Sequence, residues 1–232
     1  MIRAINIKAI VATFFVFLSI PQSHAGVALG ATRVIYPAEQ KQVQLAVTNN
    51  DDKGNYLIQS WIENAEGKKD NRFVITPPLF SMMGKKENTL RIIDSSNDAL
   101  PKDRESLFWI NVKAIPALDK AKENENYLQF AIVSRIKLYY RPKGLAIAPE
   151  QASEKLRFSI QKDKLVLNNP TPYYLTVTDL KIDGKALEHT IVPPMGKTSV
   201  SIPSGVGAGG DITYKTINDY GAITSARKGL IE

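Results

Sequence analysis

The chain has 232 residues, 30 Lys plus Arg against 23 Asp plus Glu, and no cysteine, for a formal charge of +7. The length allows two domains of about 100 residues, and the missing cysteines exclude both a disulfide framework and thiol chemistry. A basic balance suits an acidic partner. With no nucleic-acid recognition motif, an electropositive cleft for an acidic protein group is the economical reading.

Residues 1–25 read as a secretory signal peptide. Arg3 and Lys8 give a positive start, residues 9–20 form an apolar run too short for a comfortable membrane span, and Ser23-His24-Ala25 is a small-x-small cleavage signal. Cleavage after Ala25 would leave 232 − 25 = 207 residues beginning at Gly26, and a formal charge of +7 − 2 = +5.

From Val27 to Pro116 the pattern is all-β. Residues 34–36, 43–47, 56–62, 72–75, 88–93 and 107–112 are short runs of branched and aromatic residues, separated by turn-forming stretches such as Asn49-Asn50-Asp51-Asp52-Lys53-Gly54. Residues 127–142, YLQFAIVSRIKLYYRP, form a seventh and much longer strand. Alternation places Leu128, Phe130 and Ile132 on one face. Two readings stay open for it: a central strand buried on both faces, or a long strand with one apolar edge free for another protein. Seven strands at this spacing suit an immunoglobulin-like sandwich without the Cys-Trp-Cys core of antibody domains.

Pro142 and Gly144 mark a linker, and residues 145–152 carry the chain to a second set of strands at 156–160, 164–167, 175–177, 190–192, 199–202 and 212–217. Asp183-Gly184 is a hairpin turn signal. The expected architecture is two immunoglobulin-like β-sandwich domains, residues 26–143 and 144–232.

Four stretches occur in order: Ala31-Thr32-Arg33-Val34-Ile35-Tyr36-Pro37, Leu100-Pro101-Lys102-Asp103-Arg104-Glu105-Ser106-Leu107-Phe108, Arg135-Ile136-Lys137-Leu138-Tyr139-Tyr140-Arg141-Pro142 and Asn169-Pro170-Thr171-Pro172-Tyr173. Together they resemble the periplasmic pilus-assembly chaperones, the PapD-like family, and within it the chaperones of type 1 fimbriae. The resemblance implies two domains set in an L around a cleft, and a function in donor-strand complementation. Such a chaperone folds and caps pilin subunits, including the tip adhesin, in the periplasm and delivers them to an outer-membrane usher without ATP. It implies that Leu128, Phe130 and Ile132 fill the groove of an unfinished subunit, a β-addition mode of recognition. It further implies that Arg33 and Lys137 anchor the subunit's C-terminal carboxylate, and that Glu105, Arg141 and Asp219 brace the two domains. The charged loop at 115–126, with Asp119, Lys120, Lys122, Glu123 and Glu125, resembles the short-loop members that serve rod-like pili.

The residues fit those roles. Side chains at every second position repeat about every 7 Å along a strand, and burying three large apolar ones would contribute about 5–9 kcal/mol before ordering costs. Lys137, however, has odd parity against the even Leu128, Phe130 and Ile132, so a strong twist or a bulge between Val133 and Ile136 would be needed to bring it round. Taken alone, Arg33 also reads as a sheet-edge ion pair and Lys137 as a solvated edge lysine. Whether the free protein caps its own edge by self-association stays open.

Other functions find little support. His189 is the one histidine after residue 25 and has no second ligand at metal spacing, so neither a metal nor a cofactor is expected. The run Gly205-Val206-Gly207-Ala208-Gly209-Gly210 lacks the helix and the Lys-Ser/Thr of a phosphate loop and reads as a hairpin loop. No Gly-x-Ser-x-Gly elbow or Ser-His-Asp set supports hydrolysis, so binding rather than catalysis is expected. A fimbrial subunit or adhesin is the alternative, disfavoured because the donor-like pattern is internal and cysteine is absent.

Overall fold

The computed structural model describes residues 26–118, 128–205 and 210–231. The signal-peptide reading (1–25), the charged loop residues 119–126, Tyr127 and most of the 205–210 glycine run lie outside the described residues.

The first domain closes two sheets over one core. One sheet has the order β1 (Val27–Leu29), β3 (Val43–Asn49), β7 (Glu87–Asp94), β5 (Phe73–Thr76). The other runs β2 (Arg33–Pro37), β9 (Ile132–Arg141), β8 (Ser106–Pro116), β4 (Tyr56–Asn64), β6 (Leu79–Met82), with β2 and β9 parallel and the remaining pairs antiparallel. Period-2 alternation builds the core: Leu45 and Val47 from β3, Ile58 and Ile62 from β4, and Leu90 and Ile92 from β7 point inward. Leu45, Val47, Leu90 and Ile92 of the first sheet thereby share one core with Ile58, Ile62, Phe108, Ile110 and Leu138 of the second.

The second domain is one curled sheet. Its path is β13 (Lys185–Ala186), β12 (Leu175–Ile182), β16 (Ile212–Thr216), β17 (Arg227–Ile231), β10 (Arg157–Gln161), β11 (Lys164–Asn169), β15 (Gly196–Ser201), and β14 (Thr190–Val192) also pairs with β12. Its separate core gathers Phe158, Leu165, Leu167, Val177, Ile182, Val192, Ile212 and Tyr214. The Asp183-Gly184 turn joins β12 to β13 with both residues in the left-handed region (φ 49° and 74°), as a two-residue hairpin of primed type requires. The linker read at 145–152 instead contains a short helix, α1 (Pro149–Ala152), with Pro149 in its first turn, where a missing N–H costs nothing.

Strands β1, β6, β13 and β17 were not expected from the sequence. In β17 the residues are Arg227-Lys228-Gly229-Leu230-Ile231, with no clean alternation. The glycine is there for space: a Cβ at Gly229 would lie 2.7 Å from Ile212 Cγ2 and 2.8 Å from the Phe158 ring. By pairing antiparallel to β16 and parallel to β10, β17 joins the two halves of the sheet.

Candidate functional site: a cationic cleft beside an open sheet edge

Strand β9 has two dissimilar halves. On one side β8 pairs with it without interruption from Ile132 to Tyr140. On the other, β2 pairs only with Lys137 to Arg141. Among the described residues, nothing pairs with the 132–136 side that β2 leaves free. The C-terminal half is buried, with Leu138, Tyr139 and Tyr140 covered in succession, whereas Leu128, Phe130 and Ile132 are 76%, 70% and 68% exposed. The strand expected to begin at Tyr127 begins at Ile132. Continuing the β8–β9 register would set Phe130 opposite Pro116, which has no N–H to give the ladder. The Gln129 side-chain amide donates to the Pro116 carbonyl instead, at 2.6 Å.

The ladder also answers the parity question. Its register does not shift between Val133 and Ile136, so no bulge turns the lysine. The even residues Leu138 and Tyr140 lie in the first core and Ile136 packs against it. The odd residues Lys137, Tyr139 and Arg141 face the second domain, where they meet Thr176, Tyr174 and Asp219. The lysine and the apolar row occupy opposite faces of one regular strand. The row that fills this domain's core simply continues beyond it.

Arg33 and Lys137 are register partners across β2 and β9. Arg33 Nη1 donates to the Ile217 carbonyl at 3.2 Å, and Lys137 Nζ donates to Thr176 Oγ1 at 2.9 Å. Among the described residues no carboxylate pairs with either cation. Burial, reinforced by the adjacent Arg33 charge, lowers the Lys137 pKa from 10.5 to about 8. A further donor in this wall, Arg33 Nε, is buried without a hydrogen-bond partner among the described residues. Burial pushes the Tyr139 phenol up to about 12. A cleft with adjacent, uncompensated cations is built to accept an anion, and the fork of Arg33 beside the point charge of Lys137 suits a carboxylate.

Four residues beyond the lysine, Arg141 ties the domains together. Its Nη1 and Nη2 donate to the two carboxylate oxygens of Asp219 at 2.6 and 2.9 Å, and its Nε donates to Glu105 Oε1 at 2.8 Å. The other oxygen of Glu105 accepts the Tyr174 N–H at 2.8 Å, and the Glu105 N–H donates to the Pro172 carbonyl at 2.9 Å. Burial pushes the Glu105 carboxyl up, opposed by Arg141 and the Tyr174 N–H. Burial works against the Arg141 charge too, but the hydrogen bonds and charges of Asp219 and Glu105 outweigh it and raise its pKa. The Tyr173 ring covers the guanidinium, with its centroid 5.1 Å from Cζ.

Thr176, Tyr174 and Ile217 form the far wall and were not singled out in the sequence. The signal that bears on them is the Asn169-Pro170-Thr171-Pro172-Tyr173 stretch. Asn169 is fully buried, with Nδ2 donating to the Tyr173 and Pro193 carbonyls and Oδ1 accepting from the Thr171 N–H and hydroxyl. The turn it stabilises presents Pro172, Tyr173 and Tyr174 to Glu105 and Arg141. Among the described residues no cluster of His, Asp or Glu could hold a metal ion.

Comparison with known proteins identifies the family. Residues 26–146 match the family described as pili and flagellar-assembly chaperone, PapD N-terminal domain, and residues 151–228 match pili assembly chaperone PapD, C-terminal domain. The chaperone protein FocC of Escherichia coli is 73% identical over 227 residues, spanning 98% of this chain and 100% of FocC. The crystal structure of the periplasmic chaperone SfaE is similar with a TM-score of 0.79 at 71% identity, over 88% of this chain and 100% of that one. The Salmonella enterica SafB chaperone, solved in complex with the SafA pilin, gives a TM-score of 0.79 at 32% identity, over 88% and 96%. This chain belongs to the PapD-like family of pilus-assembly chaperones.

Proposed function

We propose that the protein is a periplasmic chaperone that captures pilin subunits by adding the 128–136 edge to their unfinished sheets and passes them to an outer-membrane usher. The observation that carries this reading is the unpaired side of β9 at 132–136, which follows on from the exposed apolar row Leu128, Phe130 and Ile132 and ends at two cations that have no counter-ion among the described residues. The SafB complex supports a pilin as the guest. In this reading residues 26–143 and 144–232 are the two domains, residues 1–25 are cut away on export, and the chemistry is binding, with no catalysed bond change.

The geometry also orients the guest. A strand pairing with β9 on its free side lies in line with β2 and stops where Arg33 begins. If it runs parallel to β9, its C-terminus arrives at Arg33 and Lys137. If it runs antiparallel, its N-terminal ammonium arrives there and is repelled. The cations therefore select a parallel guest and fix its register, because a slip of one residue would turn every side chain to the wrong face. Leu128, Phe130 and Ile132 would enter the guest's core as Leu138 and Tyr140 enter this protein's own. The Arg141 network holds the second domain beside the clamp and sets the angle between domains more than it adds stability.

Purification from the periplasm tests the reading. A one-to-one complex with a pilin is expected, and its loss in Arg33→Ala and Lys137→Ala chains that remain folded by circular dichroism. Full capture by both variants would remove the clamp, and absence of any pilin from the purified protein would overturn the function.

A further inference from the structure

A pocket of about 410 Å³, sharing no residue with the clamp, opens where Asp103 of the first domain meets the linker at Ala146 and Ile147 and the second domain at Pro170 and Met195. Its size is that of a small-molecule site, and such sites gather at domain junctions. The apolar walls are fixed in place. Pro170 and Pro172 belong to the turn that the buried Asn169 holds, and the Ile147 carbonyl accepts the Tyr173 hydroxyl at 2.6 Å. Met195 donates its N–H to the Thr171 carbonyl at 2.9 Å, and its φ of 52° lies in the left-handed region that suits glycine. The position nonetheless carries a long apolar side chain, 49% exposed and lining the pocket, of the adaptable kind that accepts varied apolar ligands. The polar part of the lining is cationic. Arg157 and Asn168 are register partners on β10 and β11, and Lys155 has no ion pair among the described residues. The one acidic lining residue, Asp103, is paired with Arg104 at 2.7 Å.

We propose that this pocket binds a single-chain anionic amphiphile, with the hydrocarbon tail against Ile147, Pro170, Pro172 and Met195 and the head group beside Lys155. Charge complementarity selects the head, since the lining sets two cations against one acid that already has its own partner. The backbone of the wall selects the tail. Both prolines lack an N–H, the Thr171 N–H donates to Asn169 Oδ1, and the Thr171 and Pro172 carbonyls already accept from Met195 and Glu105. A peptide laid on this wall would leave its own N–H and C=O groups unsatisfied, whereas a hydrocarbon tail needs no partner. Because the walls are held before any ligand arrives, little remains to be ordered on binding. A carboxylate and a phosphate head share this chemistry.

Isothermal titration calorimetry on the full mature chain tests this with decanoate, decyl phosphate, decyltrimethylammonium and acetate. One-to-one binding of decanoate or decyl phosphate is expected, with no heat from the cationic chain or from acetate at the same concentrations. The tighter of the two anions tells a fatty-acid head from a phospholipid-type head. Lys155→Glu is expected to weaken binding roughly ten-fold through the head. Met195→Gly, which suits the left-handed backbone and should melt no lower than wild type, is expected to weaken it roughly ten-fold through the tail. The proposal is overturned if wild type binds neither anion, if the cationic chain binds as tightly, or if either pocket variant leaves the affinity unmoved. Binding that is lost in Lys137→Met but kept in Lys155→Glu would place the ligand on the clamp and overturn it too.

Discussion

Replacing Lys137 with Met separates the cost of the clamp from its use. In the free protein the ammonium is half-buried beside Arg33, donates to the Thr176 hydroxyl with no carboxylate partner among the described residues, and has its pKa lowered from 10.5 to about 8. Met keeps the length of the aliphatic stem and removes the charge, relieving both desolvation and the Arg33 repulsion. Discounted for the side chain's partial exposure, the gain should be about 1 kcal/mol, or a rise in Tm of about 2–4 °C for a chain of this size. Capture should respond in the opposite direction. Losing a charge-assisted hydrogen bond to the guest carboxylate costs about 1.5–3 kcal/mol, which is roughly a 10- to 100-fold weaker complex. Thermal unfolding followed by circular dichroism reads the first effect, and fluorescence polarisation with a carboxylate-ended pilin peptide reads the second. A variant that melts lower and captures normally would refute the reasoning, since the lysine would then be a structural element of the cleft.

The same pKa predicts a pH dependence. Folding lowers the lysine pKa, so the unfolded chain holds the proton more tightly between about pH 8 and 10.5; the free protein's stability should rise with pH through that window, and in Lys137→Met this rise should vanish. Guest affinity should fall over the same window as the ammonium is lost, measured by polarisation across a pH series. Phe130→Glu changes a side chain that is 70% exposed, so urea unfolding of the free protein should shift by less than about 0.5 kcal/mol while pilin yields drop sharply. Arg141→Ala leaves the Glu105 carboxylate buried without its cation and frees Asp219, at a cost of about 3–5 kcal/mol; calorimetry should show the two domains melting separately where the wild type melts together.

Much of the fold was legible because alternation was strong: Leu45 and Val47, Ile58 and Ile62, and Leu90 and Ile92 announce both their strands and their inward faces. Strand β17 was not, because Gly229 is chosen for the room it leaves to Phe158 and Ile212 and not for any strand preference. Strand β9 was legible as a strand but not in its division. Whether its apolar residues are covered depends on how far β2 extends alongside, and β2 lies about a hundred residues earlier. The lysine's parity looked like a conflict only while the cleft and the apolar row were assumed to share a face; with the second domain standing on the odd side of β9, a flat ladder suffices. The far wall of the site was invisible for a related reason. Thr176 lies 39 residues from Lys137, and Ile217 lies 184 from Arg33, and no local pattern marks a hydroxyl or a backbone carbonyl as a partner for a distant cation.

Amide hydrogen exchange at 132–136, measured on the free protein and on the protein bound to a pilin, tests strand donation most directly. The amides on the side of β9 that β2 leaves open should exchange quickly when the protein is free and become strongly protected in the complex, while those bonded to β8 stay protected in both. Equal protection of the open side in both states, or an open side that still exchanges quickly in the complex, would contradict the account.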